Sequence, residues 1–461
     1  MDFPIFHLDW LGNRMLIAIT AIIHVLINHP MAVGAYPLLT LFEWIGWKRR
    51  DAQWDGMTHR MVFIVFVITT TLGALTGVGI WFTTSIVAPF AIASLLRVFF
   101  WQWFTEWLVF VSEVVLIMAY YLTWRKLSAG RGKPWHMVLG VALSIFSWLT
   151  MALIVAILGF MMNSGAWGET KGFLDAVFNP LYIPQLAFRT AFAMTTSGLF
   201  IWFCIPFVTR EQPELRTAAV KLAARWTLSW LPLCLASAIW YWQAVPAAMR
   251  INADVGVMTQ AFSKWYSMFG QILALTVLVI LATAALGAWR PRLVPRYWLV
   301  IPFLLAAWLL GHFERVREFI RKPYVIAGYM YSNGVRVSEL PVLQRDGMLP
   351  YATYASVRKV TPENKFEAGR EMFRLACSRC HTTSGVNSVV DNFRRMYGDE
   401  PWDAEQMSGF LFGMHMTRTY MPPFPGNSQE AEALALYLKS LQPGAKANGW
   451  KVAARQVGGA Q

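Results

Sequence analysis

Long apolar runs separated by short polar loops occupy the first three hundred residues of the chain. A helix of about 20 apolar residues spans the roughly 30 Å hydrocarbon core of a bilayer. Eight windows of this kind can be placed, near residues 15–40, 60–84, 104–124, 136–161, 184–208, 218–245, 264–288 and 296–313. The first run is too long for a removed signal peptide and lacks a small-residue cleavage pattern, so we interpret it as a retained helix. The pattern predicts an all-α fold, a polytopic bundle of eight membrane-spanning helices.

The loops between these windows differ in charge, and the difference alternates along the chain. Every second loop is rich in basic residues, which are Lys48, Arg49, Arg50, Arg125, Lys126, Arg131, Lys133, Arg210, Arg216, Lys221, Arg290, Arg292 and Arg296. The intervening loops, around 85–103, 163–183 and 246–263, hold only Arg97, Lys171 and Arg250. Because basic loops remain in the cytoplasm, both termini are expected outside. Everything after about residue 314 is then periplasmic, in a protein of the bacterial inner membrane.

Composition agrees with a membrane protein and excludes other classes. Of the 461 residues, 56% are hydrophobic and only 14% are charged. The net charge of +14 lies mostly in the short loops, which argues against nucleic acid as a partner and in favour of a lipid bilayer. Four cysteines are too few for a disulfide scaffold, and Cys204 and Cys234 lie in apolar runs where they are expected to pack.

The other two cysteines belong to the segment "RLACSRCHTTSG", in which Cys377, Cys380 and His381 form a Cys-x-x-Cys-His motif. This spacing is typical of covalent haem attachment, because two thioethers hold the macrocycle and the adjacent histidine supplies an axial nitrogen. Two other interpretations are a redox dithiol and half of a zinc site completed by His415. The flanking sequence favours haem: "PENKFEAGREMF" lies upstream, and "YMPPFPG" and "SQEAEALALYLKSL" lie downstream.

These motifs together resemble a class I cytochrome c over residues 362–442. The resemblance implies one covalent haem c with His381 and Met421 as axial ligands, while Met414 and Met416 are competing candidates. Because a thioether opposite an imidazole closes the iron, this module is expected to transfer electrons. The predicted organisation is a haem-binding membrane bundle at 1–318, a packed periplasmic connector at 319–361, the cytochrome c domain at 362–442 and a loose tail at 443–461.

Ionisable residues within the spans are costly and call for a functional explanation. By position along the helices, several candidates fall in the outer half of the membrane: His24, Glu106, Glu113, Arg189, Met268, His312, Glu314 and Glu318. A buried imidazole is a good ligand for haem iron, so ligation by His24 is favoured over a core histidine bonded to a backbone carbonyl. His29, just before Pro30, either lines a polar path or satisfies the opened helix. His59 and His136, at cytoplasmic span ends, are expected to be solvated, and the sequence does not settle the role of His7.

Four segments resemble subunit I of the cytochrome bd quinol oxidases. They are "AITAIIH" at 18–24, "GALTG" at 73–77, "TEWLVFVSEVVLIMAYYLTW" at 105–124 and "REFIRKPYVI" at 317–326. The resemblance extends over about residues 10–326. It implies that His24 binds a haem, that Glu106 lies beside the active-site haem and Glu113 on the proton route, and that Glu318 binds a second haem of the active-site pair.

Departures from that family are also informative. Arg189 stands where the family has the histidine ligand of its low-spin haem b, and a guanidinium does not bind iron. Met268 matches the methionine ligand of that haem, but Tyr266 replaces a nearby arginine. The connection at 246–263 lacks room for the family's quinol-binding loop. The resemblance therefore implies that the quinol site and one haem are lost. Without that haem, a core role for Met268 is the alternative to ligation, and Arg189 is a candidate partner for a haem propionate.

The sequence thus leads to a function with a stated rival. Electrons are expected to enter from a periplasmic cytochrome c or other redox protein, pass through haem c, and reach one or two non-covalent haems of the b type or the d type. An oxidoreductase that reduces oxygen to water is favoured. The alternative is an electron-transfer subunit of a larger oxidoreductase complex. A second membrane subunit, like subunit II of the bd oxidases, is the expected partner.

Overall fold

The computed structural model describes residues 3–127, 130, 132–209, 212–257, 268–398 and 400–443. The chain divides into two compact units. The bundle unit comprises Ile17–Ser85 and Pro89–Met330. The terminal unit comprises, among the described residues, 3–16, 86–88 and 331–443, so that it draws on both ends of the chain.

Within the described ranges, eight helices are long and apolar enough to cross a membrane, as the hydropathy pattern predicts. Their bounds are α1 Asn13–Arg49, α2 Ala52–Val87, α3 Pro89–Thr123, α4 Gly132–Met162, α5 Tyr182–Val208, α6 Pro213–Ala244, α7 Phe269–Trp289 and α8 Arg296–Ile320. The shortest has 21 residues, which suffices for the hydrocarbon core of a bilayer. The predicted number of membrane-spanning helices and the all-α fold class are confirmed.

Helix α5 lies at the centre of the bundle unit. In its most apolar stretch 78% of the residues are buried, against 17–44% in the other seven helices. Helix α6 packs along it, and α1, α4 and α8 also contact it. The other helices expose large apolar side chains such as Phe82, Trp107 and Leu275. Those faces suit a lipid bilayer or a membrane partner.

Two helices change their hydrogen-bonding pattern at mid-length. Helix α1 contains a π-helical segment at Asn28–Val33, where Pro30 cannot donate a backbone hydrogen bond. Helix α2 contains another at Thr69–Gly73, whose three threonine hydroxyls donate to carbonyls four residues back. Such segments re-aim side chains within an otherwise continuous helix, and His29 lies in the first of them.

Shorter elements complete the bundle unit. The short helices are Trp167–Thr170, Phe173–Val177, Ala247–Arg250 and Asn252–Val257, with a 3-10 turn at Pro291–Leu293. Two strands, β1 at Tyr324–Ile326 and β2 at Met330–Tyr331, form a small sheet where the chain passes from the bundle unit into the terminal unit.

The terminal unit is a small helical domain around its own apolar core. Its elements are α9 Leu340–Asp346, a 3-10 turn Leu349–Tyr351, α10 Lys365–Met372, a π turn Phe373–Cys377, α11 Val389–Tyr397, α12 Ala404–Thr417 and α13 Ser428–Ser440. Helices α10 and α13 cross closely at Gly369, where a Cβ would lie 2.0 Å from the carbonyl oxygen of Ala433. Only glycine permits that approach, and Phe373 extends the contact to Tyr437.

Residues before α10 are part of this core. Val335, Met348 and Leu349 are fully buried in it. The Glu430 carboxylate on α13 accepts hydrogen bonds from the backbone N–H of Met348 at 2.7 Å and of Leu349 at 2.8 Å. The segment that leads to α10 is therefore fastened to the last helix of the terminal unit.

Candidate functional site

The two motif cysteines lie on one turn of backbone. Cys377 ends the π turn, and its carbonyl accepts hydrogen bonds from the backbone N–H of Cys380 at 3.0 Å and of His381 at 2.9 Å. Both cysteines are half-buried free thiols. This turn therefore presents two thiols and an imidazole from five consecutive residues.

The imidazole of His381 is held by the loop that follows it. Its Nδ1 lies 3.3 Å from the carbonyl oxygen of Asn387, and the Asn387 amide donates to the Cys380 carbonyl at 2.6 Å. With Nδ1 donating to that carbonyl, Nε2 carries the lone pair that a metal requires. Burial lowers the pKa of His381 to about 4, so the ring is neutral at pH 7.

The two competing interpretations of the cysteines fit the geometry less well. Burial raises the pKa of Cys377 to about 12, which disfavours the thiolate that a redox dithiol needs. The Nδ1 of His415 lies 2.5 Å from the carbonyl oxygen of Met421. Among the described residues, His415 does not join the two cysteines in a group of three that could hold a metal ion, so a zinc site completed by His415 is not favoured.

Met421 lies in a short turn before two prolines. Its backbone N–H donates to the Arg418 carbonyl at 2.7 Å, and the half-buried side chain precedes Pro422. Met416 is 84% exposed, whereas Met414 packs against the core of the terminal unit. Two free thiols, a neutral imidazole and a thioether are the kinds of side chain that a covalently attached haem requires, and the half-buried Met421 suits the thioether role better than the exposed Met416.

His24 in α1 lies against the second-span motif. Its Nδ1 lies 3.2 Å from Thr76 Oγ1, the backbone of Gly73 also accepts a hydrogen bond from the ring, and Gly77 packs on its edge. The "GALTG" segment thus forms the surroundings of this histidine. A ring nitrogen held by such a partner is typical of metal-binding histidines, so His24 fits the role of a haem ligand.

The two glutamates of α3 have different environments. Glu113 is buried, and its carboxylate accepts hydrogen bonds from Ser147 Oγ at 2.7 Å and Thr150 Oγ1 at 2.9 Å, both on α4. Glu106, two turns earlier, is half-buried. Glu113 is therefore fixed in a polar pocket between two helices, and Glu106 interacts electrostatically with it.

A buried ionic cluster joins α1, α5 and α8, and we call it the His29 cluster. Arg189 donates from Nη1 to His29 Nε2 at 3.1 Å, and its Nη2 lies 3.5 Å from Glu314 Oε1. Arg317 donates to the other oxygen of Glu314 at 2.8 Å. His29 Nδ1 meets the carbonyl of Val25 at 3.3 Å. Both nitrogens of His29 are thus engaged, and neither Arg189 nor His29 fits the role of an iron ligand.

The other candidate residues of α7 and α8 have contacts of their own. Glu318 pairs with Arg321 at 2.6 Å and with Lys322 at 3.8 Å. Met268, at the N-terminal end of α7, is 51% exposed, and His312 packs edge-on against Trp308. Across the described ranges, no three or more His, Cys, Asp or Glu side chains gather in a group that could hold a metal ion. Tyr266 and part of the 246–263 connection lie outside the described residues.

The sequence reasoning missed a second buried network, which we call the Glu43 network. Glu43 contacts Lys133 at 2.9 Å, His136 at 2.6 Å and the Tyr120 hydroxyl at 2.7 Å. Lys133 also pairs with Asp55 at 2.7 Å. The expectation of a solvated His136 is wrong, because the side chain is fully buried. The available signal was a glutamate in the apolar segment that directly follows the first window.

Comparisons with known proteins give a fold relationship. The sequence matches no protein-family profile, and no curated protein is significantly similar to it. Among solved structures, the chain is similar to the bd oxidase from Geobacillus thermodenitrificans, with a TM-score of 0.57 and 16% sequence identity. The match covers 70% of this chain and 90% of that chain. At this identity the similarity establishes a shared fold, which agrees with the helical membrane bundle expected from the sequence.

Proposed function

We propose that this chain is a membrane haem protein of the respiratory oxidoreductase class, related in function to the bd oxidases and supplied with electrons through a covalent haem c. One observation carries the proposal: a single chain combines a bd-oxidase fold, with His24 held in its bundle, and a thiol–thiol–imidazole set followed by Met421. Neither part alone would indicate both an electron entry and an acceptor.

In the terminal unit, Cys377 and Cys380 would hold the haem through thioether links, and His381 and Met421 would bind its iron. A haem bound there supplies reversible one-electron transfer. The protein holds the neutral imidazole through Asn387 and fixes the Met421 turn through His415 and Pro422. Because both ligand loops are tied to the backbone of the same unit, we expect little reorganisation on oxidation and reduction.

In the bundle unit, His24 is our proposed ligand for a non-covalent haem of the b or d type, with Glu318 as ligand of a second and Glu106 beside the first. Glu113, bonded to Ser147 and Thr150, can accept a proton and release it. We assign no haem to the position of Arg189, because its guanidinium is committed to His29 and Glu314. The pairing of Arg189 with a haem propionate stays a prediction.

We place the protein in a bacterial inner membrane with the terminal unit in the periplasm, on the alternation of basic loops. A periplasmic cytochrome c or similar redox protein would be the electron donor. The exposed apolar faces of the bundle unit would meet lipid and a subunit resembling bd subunit II. Oxygen is the proposed acceptor, and water the product.

Oxygen uptake by the purified complex tests this function. A chemically reduced periplasmic-type cytochrome c serves as one donor and a quinol as the other. We expect uptake with cytochrome c and none with quinol. No uptake with either donor, while all haems still exchange electrons and bind no carbon monoxide, would favour the alternative of an electron-transfer subunit serving a larger complex.

A further inference from the structure

The N-terminal residues 3–14, which we call the N-terminal strap, pack onto the terminal unit next to the cysteine motif. The Ile5 side chain contacts the core of this unit. The ring of His7 lies edge-on to Phe373, with 6.3 Å between ring centroids. Phe373 begins the π turn that ends at Cys377. The strap therefore touches the element that presents the first thiol.

Asp9 makes the most specific contact of the strap. Its Oδ1 accepts a hydrogen bond from the backbone N–H of Thr383 at 2.6 Å. Its Oδ2 accepts one from Thr383 Oγ1 at 2.5 Å and lies 3.3 Å from Ser384 Oγ. His7 Nε2 lies 3.1 Å from the same carboxylate. Thr383 is 374 positions away in sequence and two residues after His381.

The strap forms a compact turn that packs closely against the loop after His381. Asn13 accepts from the backbone N–H of Leu8 at 3.1 Å and donates to the Phe6 carbonyl at 2.7 Å, which folds the strap into a compact turn. On the target loop, a Cβ at Gly385 would lie 2.1 Å from the carbonyl oxygen of Asp9. A side chain at that position would separate the two segments, so this contact requires glycine.

The loop that Asp9 holds is the one that carries the imidazole. Within it, His381 Nδ1 meets the Asn387 carbonyl, and Thr382 Oγ1 donates to the Val386 carbonyl at 3.0 Å. These bonds tie the loop only to itself. Burial alone would raise the pKa of Asp9, but hydrogen bonds from Thr383 outweigh it and lower the pKa, so the carboxylate is charged at pH 7. Hydrogen bonds to a charged acceptor are stronger than neutral ones.

We propose that Asp9 is a positioning residue for His381, and that the N-terminal strap is part of the haem c site. Asp9 acts through Thr383 and touches neither thiol nor imidazole. The strap holds the loop at Thr383 and Ser384, while the carbonyl of Asn387 holds the imidazole ring of His381. This inference rests on the proposed covalent haem c.

The test uses the full-length holoprotein in detergent and compares Asp9→Ala with Glu405→Ala, an exposed acid of the same unit. We expect wild type and Glu405→Ala to show one low-spin ferric haem c species by electron paramagnetic resonance. Asp9→Ala should show a mixture with a high-spin or second low-spin fraction, and a shifted midpoint potential. Hydrogen exchange at residues 382–386 should be about tenfold faster, as expected for the loss of part-buried hydrogen bonds to a charged acceptor.

Asp9→Asn keeps the shape and one acceptor oxygen, so it should fold and show an intermediate effect on spectrum and exchange. Identical spectra, potentials and exchange rates in wild type, Asp9→Ala and Asp9→Asn would overturn this inference and leave the proposed function intact. A wild-type protein that has no covalent haem would overturn both, and the extracted haem content distinguishes these two failures.

Discussion

One buried carboxylate joins two segments of the terminal unit. The Glu430 carboxylate, 2% exposed, accepts backbone N–H groups of Met348, Leu349 and Asn427. It completes a capping box at the start of α13 and joins that helix to residues 347–349. A buried donor that loses its acceptor has no water to replace it, so loss of this carboxylate should lower the free energy of unfolding of the terminal unit.

Replacement of Glu430 by Gln should therefore destabilise the terminal unit. The amide keeps one acceptor oxygen but points an NH₂ group at backbone donors, which should cost about 1–3 kcal/mol. Thermal unfolding followed through the haem c absorption measures the loss. The control is Glu432→Gln, an exposed partner of Lys365, which should change stability by less than about 0.5 kcal/mol. Equal effects of the two variants would contradict the role of Glu430.

Glu318 carries a prediction about activity. Replacement of Glu318 by Ala should abolish oxygen reduction while haem c remains reducible, because a proposed ligand of the acceptor site is lost and the terminal unit is unchanged. The control is Glu169→Ala, at an exposed position between α4 and α5. Oxygen uptake with reduced cytochrome c is the measurement. Full turnover in Glu318→Ala would contradict the assignment of Glu318 as a haem ligand.

The hydrogen bonds from Thr383 to the Asp9 carboxylate, which we call the Asp9 clamp, should make the stability of the terminal unit depend on pH. The pKa of Asp9 is lowered from 3.8 in the folded protein, so the unfolded chain binds the proton more tightly. The stabilisation is present above about pH 4 and is lost as the pH falls through the folded pKa. The difference in melting temperature between wild type and Asp9→Asn should therefore narrow between about pH 5 and pH 3. A difference that stays constant or widens in acid would contradict the charged clamp.

At this scale, local chemistry could be predicted from the sequence and long-range pairing could not. The Cys-x-x-Cys-His spacing and the histidine of the first span each have a local signature. Nothing local connects Asp9 with Thr383, because the two are 374 positions apart. His136 was misjudged because its position at a helix end says nothing of Glu43, which arrives from another helix.

At the scale of elements, hydropathy predicts the membrane helices but not their ends. The third apolar window begins near 104, whereas α3 begins at Pro89, because the residues before the window are also helical and join it through a kink at Phe99, where the backbone is not helical. The π-helical segments in α1 and α2 are not predicted either, because the hydropathy pattern assumes one helical period throughout a span. The Glu43 network then shows what holds four helices together: its members lie on α1, α2, α3 and α4.

Removal of the cation from the Glu43 network should destabilise the bundle unit. Lys133→Leu removes the lysine partner of the buried Glu43 carboxylate and leaves it only His136 and the Tyr120 hydroxyl, and breaking a buried ion pair costs about 3–5 kcal/mol. The control is Lys126→Leu at an exposed position of the same connection. Thermal aggregation in detergent measures stability, and Lys133→Leu combined with Glu43→Gln should recover part of the loss. No difference between Lys133→Leu and the control would contradict this role.

At the scale of the whole molecule, one chain combines two compact units with separate cores. The bundle fold was predictable because eight apolar windows and a few spaced motifs define it, and the bd oxidase similarity at 16% identity supports that fold. The sequence did not predict which residues make up the terminal unit, because residues 3–16 join it through contacts that leave no pattern in the sequence. The proposed function depends on both units carrying haem.

The haem content after acid–acetone extraction tests that claim most directly. We predict one haem per chain that stays with the protein, and at least one that is extracted. Cys377→Ser combined with Cys380→Ser should lose the covalent haem and keep the extractable one, whereas His24→Ala should show the reverse. A wild-type protein with no covalent haem, or a His24→Ala variant with undiminished extractable haem, would contradict the account.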